Sequence, residues 1–151
     1  MRKILLAVIV ALNLWSRNTS FVELETDMLR IKVNDKGFIT SFQDKETSRE
    51  YMPKGVKCPL LTLYKDSIYI EPVNATYNKE KLEFSLDYGN GSIAIINIEP
   101  KSSYFKMALK SVEPRNDIQA VQWGPFATTL DKWIGEAIGV VRNDDYAIGV
   151  Q

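Results

Sequence analysis

From Phe21 onward the chain alternates apolar and polar residues with a period of two. No other feature restricts the fold as strongly, because successive side chains of a β-strand point to opposite faces of a sheet. "MLRIKVN" sets Leu29, Ile31 and Val33 on one face and Arg30 and Lys32 on the other. "NDKG" then turns the chain into "FITSFQD", a hairpin with Gly37 where a positive φ is wanted. "PLLTLYKD" and "SIYIEPV" follow as short strand-like runs. "KLEFSLDYGNGSIAIINIEP" alternates Leu82, Phe84 and Leu86 with acids and serine, turns at "YGNGS" and returns. "YFKMALKSVEP" sets Phe105, Met107 and Leu109 against Lys106, Ala108 and Lys110, and "VVRNDDYAIGVQ" reads as a last hairpin. Seven or more strands spaced by turn residues predict an all-β antiparallel sandwich, a single domain over residues 21–151. The only helical element expected is a short turn from Thr129 in "ATTLDKWIGEAIG". The final strand has barely begun at Gln151, which raises the expectation that the chain is the front part of a longer protein.

Bulk properties then narrow the function. With 151 residues, 45% of them hydrophobic, one packed core is within reach. Lys plus Arg equals Asp plus Glu at 19 each, so the chain has no basic field to attract nucleic acid by counterion release. At the N-terminus, Arg2 and Lys3 precede an apolar run from Ile4 to about Trp15. That run falls short of the roughly 20 residues of a spanning helix and matches a secretory signal over residues 1–20. A secreted or periplasmic location is therefore expected, with no membrane span after cleavage; an uncleaved anchor or a buried N-terminal helix are the other readings. Loss of residues 1–16 removes Arg2 and Lys3 and leaves 17 basic against 19 acidic residues, a net charge of −2. The single cysteine, Cys58, has no partner for an internal disulfide and no histidine to activate it, so it is expected as a small buried hydrophobe.

The absence of histidine removes the Ser-His-Asp, Cys-His and histidine-metal arrangements. "DYGNGS" lacks the lysine and the helix of a phosphate-binding loop, and "NDKG" and "NDD" lack the alternating acids of a calcium loop, so neither cofactor nor metal is expected. Hydrolysis of sugars needs only two facing carboxylates. Glu136, inside the apolar "WIGEAIG", and Asp117, near "IQAVQWG", differ most from routine surface acids, whereas Asp27, Asp35, Asp44, Asp87, Asp144 and Asp145 fall at strand ends. No residue is assigned as catalytic. Trp123 and Trp133 flank the loop-like "GPFATTLDK" and are the candidate carbohydrate-binding residues, because a pyranose stacks its apolar face on a flat ring. The same two rings could instead plug the ends of the sandwich or pack on a partner domain. The acceptor patterns at Asn18, Asn74 and Asn90 carry no functional weight.

Two stretches resemble a known family. "NDKGFITSFQDKETSREYM" resembles the opening hairpin of galactose-mutarotase-like β-supersandwich domains, with their strand, glycine turn, second strand and D-K-x-T-x-R-E-Y segment. "VQWGPFATTLDKWIGEAIGVVRNDDYAIGVQ" is similar to a later part of such domains in large secreted glycoside hydrolases of Bacteroidetes. The resemblance implies a non-catalytic N-terminal domain acting beside a C-terminal (β/α)8 barrel that bears the catalytic acids. A free-standing aldose mutarotase fits poorly, since that family uses a histidine acid with a glutamate base and this chain has no histidine. The other function in view is a stand-alone carbohydrate-binding or surface-glycan module, with Trp123 and Trp133 as its binding rings; a third is a structural sandwich without a ligand.

Overall fold

The computed structural model describes residues 21–135, 139–144 and 147–150. The strands in chain order are β1 (Phe21–Glu25), β2 (Leu29–Asn34), β3 (Ile39–Asp44), β4 (Leu61–Lys65), β5 (Ile68–Ile70), β6 (Asn74–Asn78) and β7 (Glu83–Asp87). They continue with β8 (Ile93–Pro100), β9 (Phe105–Glu113), β10 (Ala120–Trp123), β11 (Trp133–Ile134), β12 (Gly139–Arg142) and β13 (Ala147–Val150). A 3₁₀ turn at Arg115–Asp117 is the one helical element among the described residues. All pairings are antiparallel and form four open sheets, ordered β1-β2-β3, β10-β4-β5, β6-β7-β8-β9 and β11-β12-β13. The fold is all-β and sandwich-like. The signal-like segment lies outside the described residues, and no helix among those described is long and apolar enough to cross a membrane.

The alternation read from the sequence becomes the core. Ile31 and Val33 of β2 meet Phe84 and Leu86 of β7 and Ala94, Ile96 and Ile98 of β8 in one apolar cluster, which Leu60, Leu61 and Leu63 join from the chain entering β4. At about 25 cal/mol per Å² of apolar surface removed from water, such burial is what holds short strands together. The other face of β1-β2-β3 is a ladder of opposite charges: Arg30 Nε lies 2.6 Å from Glu25 and 3.3 Å from Glu23, and Lys45 Nζ lies 3.0 Å from Glu25. The Lys45 hydrogen bond, then that of Arg30, holds the Glu25 carboxyl below the usual carboxylate range.

The Gly37 turn forms as expected, with φ 81° and the Asn34 side-chain oxygen accepting from the backbone N–H of Lys36 and Phe38 at 3.0 Å each. Three expectations change. Leu82 lies before β7 with φ 54°, in the turn rather than on the strand's inner face. In β9 Phe105 and Met107 pack on the core as expected but Leu109 is exposed, because the register slips opposite Ile95 and Ile96, Lys110 bulges out and Val112 takes up the core side. No helical turn starts at Thr129 among the described residues; its backbone N–H donates to the Tyr51 carbonyl at 2.8 Å, and the chain runs on extended into β11, where Trp133 and Ile134 pair with Arg142 and Val141.

Candidate functional site

The sheet β10-β4-β5 turns one face to the core and the other outward. Leu61 and Leu63 point inward, so Thr62 and Tyr64 take the other face, where Thr62 is covered and Tyr64 is half-buried. Asp66 and Ser67 both have positive φ, 51° and 63°, the conformation of the tightest two-residue hairpin loop. That loop pairs Lys65 with Ile68 and Tyr64 with Tyr69. The two tyrosine rings lie 4.9 Å apart at 46°, and Tyr69 is 64% exposed. On the other side of β4, Gln122 pairs with Thr62, whose hydroxyl donates to the Gly124 carbonyl at 3.0 Å. Tyr69, Glu71, Gln122 and Pro125 border a shallow concavity of about 520 Å³. A second, larger groove of about 790 Å³ runs between the Gly37 turn and the segment from Met52 to Lys57. Glu71 lines both, so the two hollows adjoin.

The structure places the two tryptophans on different sheets. Trp123 pairs with Leu61, shares its inward side and packs half-buried against the core. Trp133 on β11 is 41% exposed, with Lys132 Nζ at 4.3 Å and Arg142 Cζ at 4.6 Å from its ring centroid. Its π-system is thus already engaged by two cations, an attraction worth about 0.5–1 kcal/mol each at an exposed site. Lys132 also pairs with Asp144.

Glu136 falls outside the described residues. Asp117 sits exposed on the 3₁₀ turn and pairs with Lys65 at 3.0 Å. Asp44 is buried at the end of β3, where the Thr47 hydroxyl and the backbone N–H of Glu46 and Thr47 bond its carboxylate and hold it below the usual range. Asp87 accepts from the Gly89 N–H at 2.8 Å. These acids cap turns or sit in surface ion pairs. No three Cys, Asp or Glu side chains cluster as metal ligands among the described residues.

Cys58 is buried as expected, and its sulfur accepts a bond from the Ala127 N–H at 3.1 Å. Burial pushes its thiol upward, which leaves little thiolate at neutral pH. An aromatic disulfide reagent is therefore expected to release no chromophore from the native protein at pH 8 and one equivalent after unfolding in guanidinium. Rapid native labelling would contradict the placement.

The Tyr64–Tyr69 pair is absent from the sequence expectations, although the residues carry a signal for it. In "LYKDSIY" a two-residue turn at Asp66 and Ser67 brings together residues equidistant from it, and the tyrosines are two such residues. Comparison with protein-family models, curated proteins and solved structures finds no match.

Proposed function

We propose that this chain is a non-catalytic carbohydrate-binding β-sandwich, exported from the cell, that serves as an accessory domain to a glycoside hydrolase whose catalytic acids lie on another domain. The observation that carries this reading is the exposed Tyr69 ring, backed by half-buried Tyr64, on the sheet β10-β4-β5. A pyranose has one face lined by C–H bonds and a rim of hydroxyls. The Tyr69 ring supplies the flat apolar surface, while the Gln122 amide and the phenol oxygens offer donors and acceptors for the rim. Strand-borne rings also lose little side-chain freedom on binding, which favours affinity. Export rests on Arg2, Lys3 and the apolar run after them, and the accessory role on the two stretches that resemble β-supersandwich domains.

Affinity electrophoresis through gels containing xylan, mixed-linkage glucan, galactomannan or pullulan tests the reading. Retardation in at least one gel is expected, and Tyr69→Ala should weaken it at least tenfold, about 1.4 kcal/mol, with an unchanged melting temperature. Free migration in every gel, or retardation indifferent to Tyr69→Ala, would refute the assignment of this face. Trp133→Ala in the same gels shows whether that ring adds to binding.

A further inference from the structure

We propose that the groove beyond Glu71 is a second subsite that takes an acidic sugar, a uronate residue of the same glycan chain; this rests on the carbohydrate reading above. The groove has an apolar floor of Phe38, Met52 and Pro53 and a charged rim of Lys36, Lys54 and Lys57 with Glu50 and Glu71. Both acids are committed. Glu71 pairs with Lys57 at 2.8 Å. Glu50 accepts from the backbone N–H of Phe42 and Met52 at 2.7 and 2.9 Å through one oxygen and from the Ser41 hydroxyl through the other. Lys36 and Lys54 are exposed and pair with no acid among the described residues.

The free capacity of the groove is therefore cationic, set above an apolar surface. A uronate presents the matching chemistry, a flat C–H face and one carboxylate per ring. A neutral sugar would gain no electrostatic contact from the two ammonium groups, which stay hydrated at the exposed rim. With no net positive charge on the chain, the attraction is local to these two lysines, and the apolar lining beside them favours a carboxylate carried on a sugar ring over a bare polyanion. Because Glu71 borders both hollows, one chain can cross from the tyrosine pair into the groove. Lys36 is placed there by the Gly37 turn, and Phe38 is anchored beside it by a bridge to Pro59.

The test titrates the protein with polygalacturonate, its fully methyl-esterified form and polyglutamate, alongside whichever neutral polysaccharide the tyrosine face retains. Polygalacturonate is expected to bind at least about tenfold more tightly than the ester, and to weaken as salt rises from about 0.02 to about 0.3 M. The double variant Lys36→Gln, Lys54→Gln should lose that preference while keeping neutral-glycan binding. Equal binding of acid and ester, or a double variant with an unchanged preference, overturns the proposal and leaves the tyrosine face standing. Polyglutamate binding as tightly as polygalacturonate also overturns it, since the groove would then read charge without sugar. Failure to bind any glycan sinks both readings together.

Discussion

Phe84→Ala is expected to lower the free energy of unfolding by about 3–5 kcal/mol, measured by equilibrium denaturation in urea. The Phe84 side chain is almost wholly buried in β7, at the centre of the four-stranded sheet, and its ring lies 4.6 Å from that of Tyr77 on the neighbouring strand. Truncation removes the transfer free energy of the ring and the contact with Tyr77, and leaves a cavity lined by aliphatic side chains that are themselves held in strands. Collapse into that space would require the sheets to approach one another. Against a total stability of about 5–15 kcal/mol for a typical domain, the loss is large. Phe84→Leu, which keeps most of the volume, should cost well under half as much, and equal costs for the two variants would show that the site relaxes freely.

Gly37→Ala is expected to cost about 2–4 kcal/mol, the second largest effect, and two causes add. The backbone there has φ 81°, a conformation that a side chain disfavours by about 1–2 kcal/mol. A Cβ would also stand 2.8 Å from a methyl of Leu86, which is fully buried and has little room to retreat, and 3.3 Å from Pro72. Thermal unfolding would read the loss as a fall in melting temperature. Gly55→Ala is the control: it has a similar φ of 77° but open space around it, so it isolates the backbone part and should cost about half as much or less. If both variants lose the same stability, contact with Leu86 contributes nothing.

What could be read from the residues follows from where the information is local. In β2 the alternation and Gly37 agree and the hairpin stands where it is expected, while in β3 Thr40 bulges out of register opposite Lys32 and Val33, so Ile39 and Phe42 both reach the core. The hairpin between β12 and β13 was equally legible from apolar runs around "RNDD". β6 has a weak signal in the sequence, because "NATYN" is polar at three of its five positions and only Ala75 and Tyr77 face the core. Trp123 looked like a surface ring beside a loop; its inward direction depends on pairing with Leu61, far away in the chain, and such pairing has no local signature. The same long-range contact sets Gln122 beside Thr62, so the polar side of the tyrosine face could not be assembled from sequence spacing alone. The charges of the groove were visible as residues, but which acids were already occupied was not.

The two-residue turn at Asp66 and Ser67 bears on how this surface can diverge. Tyr64 and Tyr69 are brought opposite each other by loop length and strand register together. A single inserted residue would either bulge or slip the strand, and a slip of one position moves every following side chain to the other face, carrying Tyr69 inward and Ile70 out. Exchange of either ring for tryptophan, histidine or a polar residue leaves the register untouched. Descendants of such a chain can explore new ligands by substitution at these two positions, while length changes in the turn are purged before they can be tried.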